Sequence, residues 1–579
     1  MMVHVDSPNV HKDTAPLPPI SRLPAELLLD IISRLPNNVS RRCYNDPTFS
    51  RVVVSQVCRL WRDAADQTKG LWTFVPLNNP MSATHALACS DALPLQLLIR
   101  RDAGADLETV RNALRQISRV KELTWVVRRT KEGMDEFDMQ VMALLSEEAA
   151  PALETLDLEF DDPMSFEEDL PDVPATLFSE PVPSSLRHLS VYGRRLPRNS
   201  TLLQAHLTSL VLNECTAWET IDDAMDTFQR MPHLESFTAR GDVHTVLALG
   251  SENIVTPLEP RSVSLSSMQS FSIKAAVPQI VMLLRYLRLP TRCALHIASN
   301  DYQIVDHADH LDDLALELSF HYESAQAAGE TFQTQMWRHR GDEMTVISLR
   351  AWNLASSPPS DTGPLLPQHT YAHTLPVILH INIEWDVTTS VLEFDATQFL
   401  IDNVPVLGGA HTLAICRHHG SNVDIIDQFC SESLSDWRSV FGDLQQVKAL
   451  QVEDNSASHI LRILGEPLSL DLPEPLFPNL QSITFFDVSF QDRLWESEEW
   501  KSSLTLFEGL SVGLDERLLS GVLKRVSIRK CDFDVTMAEA LRARWGKEVL
   551  DWDEEIYGSE RSARMRMAAN AFPGDQPEK

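Results

Sequence analysis

Few groups in this chain stand at spacings that could do chemistry. Gly509-Leu510-Ser511-Val512-Gly513 matches GxSxG, the pattern that presents a nucleophilic serine on a strand-to-helix turn. That chemistry needs a histidine downstream of the serine to take its proton, and no histidine follows His459. Chain order therefore defeats a hydrolase, and a turn between repeats is the expectation here. His418 and His419 beside Cys416 could offer zinc ligands, but no second Cys/His pair is near them in sequence, so a surface turn is expected. The acidic run Glu496-Ser497-Glu498-Glu499 and the pair Asp161-Asp162 followed by Glu167-Glu168-Asp169 lack the glycine and alternating oxygen ligands of a calcium loop. They read as solvated loops. Neither GxxxxGKS/T nor GxGxxG after a strand occurs. No catalytic residue, no metal and no cofactor is expected, which leaves binding as the function to look for.

The composition narrows what is bound. The 579 residues carry 50 Lys+Arg against 82 Asp+Glu, a net charge of −32 that repels nucleic acid and anionic membranes. No run of eighteen apolar residues occurs, since stretches such as Ile280 to Leu289 are broken by Arg285 and Arg288, so no membrane span is expected. The start, MMVHVDSPNVHKDTAPLPP, lacks the basic and apolar regions of a signal peptide. Residues 1–19 read as a disordered lead-in. Eight cysteines without CxxC spacing indicate neither a disulfide framework nor a zinc site and suit a reducing compartment, so a cytoplasmic or nuclear location is expected.

The segment from Ile20 to Leu77 departs from the acidic background: eight basic side chains against five acidic ones leave it at +3. Pro24 suits a first helical position, and Glu26 places a carboxylate where the helix dipole favours it. Leu27, Leu28, Ile31, Ile32 and Leu35 form one broad apolar stripe, closed by Pro36. From Arg51 on, Val53, Val54, Val57, Leu60, Trp61, Ala64 and Ala65 repeat the pattern, and Gly70 is a plausible stop. Two short amphipathic helices make a module whose isolated core is marginal. Their stripes face either the remainder of the chain or another protein.

Leu23-Pro24-x-Glu26-Leu27-Leu28, then Ile31, and later Val57-Cys58-Arg59-x-Trp61-Arg62 with Gly70-Leu71-Trp72, resemble the F-box pattern of LPxELL, VCRxWR and a closing LW. The resemblance covers about a tenth of the chain. It implies helices that pack on the Skp adaptor of a Skp/cullin/F-box ubiquitin ligase, with Leu23, Pro24, Leu27, Leu28, Ile31, Val57, Cys58 and Trp61 lining the contact. The local positive charge suits the acidic adaptor that the family implies. The polar, turn-forming insert from Asn37 to Ser50 is longer than in a compact F-box.

Behind the module one spacing recurs. Leu153-x-x-Leu156-x-Leu158, Leu186-x-x-Leu189-x-Val191, Leu207-x-x-Leu210-x-Leu212, Leu234-x-x-Phe237 and Met268-x-x-Phe271-x-Ile273 share it. So do Val447-x-x-Leu450-x-Val452, Leu480-x-x-Ile483-x-Phe485 and Leu523-x-x-Val526-x-Ile528. The period-two portion makes a short strand, and its apolar flanks anchor it in a stacked core. Cys215, Cys531 and Asn455 sit where leucine-rich repeats place an inward Cys or Asn, so these cysteines read as structural. The start positions are unevenly separated, which resembles a degenerate leucine-rich solenoid. Between about 290 and 410 only isolated strand-like pieces remain, Met344 to Leu349 and Val377 to Ile383, with a Pro/Ser loop from Ser356 to Pro367.

The expected fold class is α/β: a small all-α F-box module at 20–77, then an irregular leucine-rich-repeat-like α/β solenoid at 78–534 with a loop insertion at 355–368. A C-terminal capping helix is expected at 535–557 and a disordered tail at 558–579. The expected function is a non-enzymatic substrate-recognition adaptor, with the Skp adaptor and cullin core as partners and a protein target held by the repeats. The alternative is a leucine-rich interaction scaffold independent of the ligase.

Overall fold

The computed structural model describes residues 23–33, 54–101, 104–130, 133–161, 173–179, 183–193, 195–241, 262–300, 307–341, 344–355, 377–386, 392–419, 438, 440–454, 456–465, 475–490 and 505–553. The insert from Asn37 to Ser50, the 356–367 loop, the acidic run at 496–499, Asn455 and both termini lie outside the described residues. The chain divides into two compact units, Met1–Leu189 and Ser190–Lys579. No described helix is long and apolar enough to cross a membrane.

The first unit opens with α1 (Ala25–Ser33), a helical stretch at 54–57 and α2 (Arg59–Gln67). A 3-10 turn over Lys69–Trp72 leads to β1 (Phe74–Val75), α3 (Pro80–Cys89), β2 (Leu95–Arg100), α4 (Leu107–Leu114) and β3 (Val120–Thr130). Then follow β4 (Gly133–Met134), α5 (Glu136–Glu147) and β5 (Thr155–Asp161). Strands β1, β2, β3 and β5 pair in parallel in that order, and β4 runs antiparallel on β3. Parallel neighbours need a crossover, and here the crossovers are helices started by side-chain caps. Asn79, Asp106 and Asp135 accept from the backbone N–H three residues on, which fixes where α3, α4 and α5 begin. The buried Trp125 of β3 donates through Nε1 to Asp138 of α5 at 3.1 Å, so the strand and helix layers meet with the indole N–H satisfied. Strand β6 (His188–Tyr192) spans the division, with Leu189 and Val191 buried.

In the second unit β7 (Ser209–Asn213), β8 (Ser236–Arg240), β10 (Ser270–Lys274) and β12 (Ala294–Asn300) pair in parallel. Helices α6 (Ile221–Gln229) and α7 (Val277–Tyr286) connect them, and β9 (Val263–Ser264) pairs with β11 (Leu287–Arg288) separately. After β12 the chain runs through α8 (His307–His321) and α9 (Glu323–Ala327) into a meander of β13 (Thr331–Gly341), β14 (Met344–Ala355) and β15 (Leu379–Asp386). The meander is antiparallel internally, and its last strand lies beside β12 while its first lies beside the strand that follows. That next strand, β16 (Thr412–His419), is reached through α10 (Leu392–Asn403) and starts a second parallel run with β17 (Ala449–Asp454), β18 (Ser482–Phe486), β19 (Arg525–Arg529) and β20 (Leu550–Trp552). Helices α11 (Ser456–Gly465), α12 (Leu506–Leu519) and α13 (Val535–Trp545) connect the last four strands.

Register explains why the recurring spacing has one phase. Leu212, Ala239, Ile273, Ile297, Ile381, Leu349, Trp337, Ile415, Val452, Phe485, Ile528 and Trp552 are successive cross-strand partners, all buried. A one-residue slip of any strand would turn its member of this row to the other face. The row passes unbroken through the meander, so the described strands between 290 and 410 belong to the same sheet as the regular strands.

Several sequence expectations are corrected. The helix from Arg51 to Gly70 is two pieces: Cys58 is extended (φ −163°, ψ 175°), and α2 ends at Gln67 with Thr68 as its C-cap, leaving Gly70 in the 3-10 turn. The C-terminal helix stops at Trp545, where Gly546 has φ +94°, and Leu550–Trp552 is the last parallel strand. The stretch Gly509–Gly513 is no turn but lies within α12, whose start is fixed by reciprocal bonds between Thr505 and Glu508. His418 and His419 are strand residues of β16. Cys215 and Cys531 are buried, with thiol pKa values pushed up to about 12 by desolvation. Cys531 Sγ accepts from the Val488 N–H at 3.4 Å, so it ties the segment after β19 to the one after β18.

Candidate docking surface

The N-terminal helices close a small core. Leu28, Val54, Trp61, Ala64, Ala65, Leu71 and Trp72 pack together with Ala86 of α3, and Leu29 and Cys89 flank them. Pro24 precedes α1, its carbonyl accepting from the Leu28 N–H at 3.1 Å, so it acts as N-cap rather than as first helical residue. The α2 end is held twice from Thr68: its N–H bonds the carbonyls of Ala64 and Ala65 at 3.1 Å, and its hydroxyl donates to Ala64 at 2.8 Å. Trp72 Nε1 donates to the Ala65 carbonyl at 2.8 Å, locking the closing Leu71-Trp72 pair under α2.

Four large apolar side chains stay outside this core: Leu27 is 52% exposed, Ile31 45%, Val57 49% and Leu60 41%. Leu27 and Ile31 are one turn apart and share a face of α1, which packs against α2. Among the eight residues singled out from the sequence, Pro24, Leu27, Ile31, Val57 and Cys58 are exposed and Leu23 is half-buried. Leu28 and Trp61 are turned into the module's own core. Leu60, outside that set, joins the exposed group. Leu60 belongs to the apolar stripe read from the sequence, but the extended Cys58 breaks the helical phase and leaves the inward position to Trp61.

Charge around these residues is mixed and solvated, with Glu26, Asp30 and Asp63 exposed among the described residues alongside three cations. Arg59, Arg62 and Lys69 are exposed; Arg62 Nε donates to the Ser55 carbonyl at 3.0 Å, bridging the break at Cys58, and Lys69 pairs with Asp91 at 2.8 Å. The hydrogen bond and charge of Lys69 hold the Asp91 carboxyl below its ordinary range. Exposed apolar side chains ringed by charged ones make a surface that can enter an apolar groove with a polar rim. By contrast, the cleft beside α6, lined by Met225, Phe228, Pro232, Ser262 and Val263 among others, has Asp226 as its one ionisable lining group among the described residues.

The family model for the F-box-like domain matches residues 20–76 of the chain, covering the module just described. The chain thus carries an F-box-like domain at its N-terminal end. No curated protein sequence matches the chain.

Proposed function

We propose that the protein is a substrate-recognition subunit of a Skp/cullin/F-box ubiquitin ligase. The observation that carries the reading is the division of labour within the F-box-like domain. Its core is closed by Leu28, Trp61 and Trp72, while Leu27, Ile31, Val57 and Leu60 remain exposed on the helices that such domains use for docking. Burial of these side chains against the Skp adaptor supplies affinity, and Arg59 and Arg62 steer an acidic partner. The long sheet that follows the domain in sequence, with its continuous buried rows and helical crossovers, is the degenerate leucine-rich solenoid of this reading. The edges and loops of that sheet hold a protein target in this reading. The chain performs no chemistry of its own: it raises the effective concentration of a target lysine near the ligase. Co-purification of the full chain with recombinant Skp adaptor and cullin core tests the reading. Recovery of a stoichiometric complex is the expected result, and its absence with folded protein overturns it.

One observation favours a second reading, an interaction scaffold without a ligase. The core of the F-box-like domain is completed by Ala86, and flanked by Cys89, on a helix beyond the matched residues. Deleting residues 1–80 discriminates. A remainder that still melts cooperatively at nearly the wild-type temperature supports a detachable docking module, and loss of that transition supports the scaffold.

A further inference from the structure

Three side chains with metal-ligating atoms converge beside the core of the F-box-like domain, and docking uses none of them. Asp66 is the penultimate residue of α2, and His85 and Cys89, four residues apart on α3, share one face of that helix. His85 Nε2 lies 3.1 Å from Asp66 Oδ1 and 3.6 Å from Cys89 Sγ, and the three ligand atoms all fall within 4.8 Å of one another. Zinc bonds of about 2.0–2.1 Å to nitrogen or oxygen and about 2.3 Å to sulfur, at tetrahedral angles, separate N from O by about 3.3 Å and N from S by about 3.6 Å. The two separations from His85 Nε2 therefore already match those a tetrahedral ion imposes.

Hydrogen bonding alone accounts for only part of this arrangement. An Nε2 proton serves the Asp66 carboxylate, and the thiol is then left with Nδ1 at 3.9 Å, a longer contact than its 3.6 Å approach to Nε2. A cation between the three satisfies all of them at once. The surroundings hold the ligands in place: the Trp72 ring meets His85 edge-on with centroids 4.6 Å apart, and Trp72 is itself pinned to α2 through the Ala65 carbonyl. Cys89 packs on the core, whereas Asp66 and His85 are 36% and 46% exposed, which leaves a path for an ion from solvent. Thiolate with imidazole selects zinc over magnesium or calcium.

We propose that Asp66, His85 and Cys89 bind one zinc ion, with water in the fourth position, and that the ion clamps α2 to α3. The sequence expectation of no zinc site rested on the lack of CxxC spacing. This ligand set instead pairs His-x-x-x-Cys on one helix with an aspartate from another.

The test is titration of the full chain with Co2+, read by thiolate-to-cobalt charge-transfer absorption, followed by displacement with Zn2+. Wild-type protein is expected to bind one equivalent with that absorption. Cys89→Ser is expected to lose the band, and His85→Gln to bind at least about tenfold more weakly. Both substitutions lie outside the buried core, and unchanged circular dichroism shows that the variants fold. Absence of the band in wild type, or a band that survives in Cys89→Ser with unchanged affinity, overturns the proposal. No adaptor is present in the measurement, so its failure leaves the docking reading untouched.

Discussion

Replacing Leu27 and Val57 together by aspartate separates docking from folding. Full burial of a Leu, Ile or Val side chain is worth about 1.5–3 kcal/mol. Leu27, Ile31, Val57 and Leu60 are each about half exposed, so each has about 1 kcal/mol left to gain from a partner. Together they supply about 4 kcal/mol, a factor of about 1,000 in Kd. The double substitution removes two of these contributions and places two carboxylates where an apolar groove would desolvate them. Binding to purified Skp adaptor, measured by calorimetry or interferometry, is expected to weaken by at least about 100-fold. The fold is expected to survive: aspartate at position 27 sits in the first turn of α1, where the helix dipole tolerates it, and neither residue belongs to the core. Trp61→Ala is the contrasting control, expected to cost about 3–5 kcal/mol of folding stability by hollowing that core. A double variant with native circular dichroism that binds adaptor within threefold of wild type would refute the assignment of these side chains to docking.

Other consequences follow from residues already placed. Burial lowers the His321 pKa to about 4, and among the described residues its Nε2 has no hydrogen-bond partner. The unfolded chain therefore binds more protons between pH 6.5 and about 4, so stability falls as pH falls through that window. By pH 5 this histidine costs about 2 kcal/mol, and His321→Phe should shrink the difference between urea midpoints at pH 7 and pH 5; an unchanged difference counts against it. A Cβ on Gly513 would stand 2.6 Å from the Leu461 carbonyl oxygen. Gly513→Ala is expected to destabilise the second unit by about 1–3 kcal/mol in denaturant titrations, although alanine favours helices; a stabilised variant would contradict the close approach of α11 and α12. Cys58 is exposed whereas Cys215, Cys293 and Cys531 are buried with thiol pKa values pushed up to about 12. A thiol reagent at pH 8 should modify Cys58 in native protein and those three only in denaturant, as read by peptide mass spectrometry; prompt labelling of Cys531 in the native state would exclude its structural role.

The strands that carry the recurring spacing were legible because their apolar residues alternate on one face. Leu210 and Leu212, Phe271 and Ile273, Ile483 and Phe485 all lie in the buried row or beside it. Strand β13 was hidden because two of its buried positions are polar. Gln333 and Gln335 are buried, and Gln335 is satisfied by the Leu407 carbonyl at 2.6 Å. A polar side chain that finds its partner 72 residues away looks solvated in a local reading. In the F-box-like domain, periodicity identified the apolar positions but not which of them face inward. The break at Cys58 resets the helical phase between Val57 and Trp61, sending Leu60 out and Trp61 in. The Asp66, His85 and Cys89 cluster escaped for a related reason: 19 residues separate its first two members, and only the packing of α3 on the module brings them together.

The reversed meander also sets a timetable for synthesis. Leu210 of β7 meets its partner Phe237 after 27 residues, but Leu295 of β12 must wait for Leu379, 84 residues later. At roughly 5–20 residues per second, that interval is about 4–17 s on the ribosome. During it, β12 presents an unpaired parallel edge to any other nascent strand. The first parallel run is thus complete long before its outer edge is covered, and that edge is where misassembly of this chain would begin.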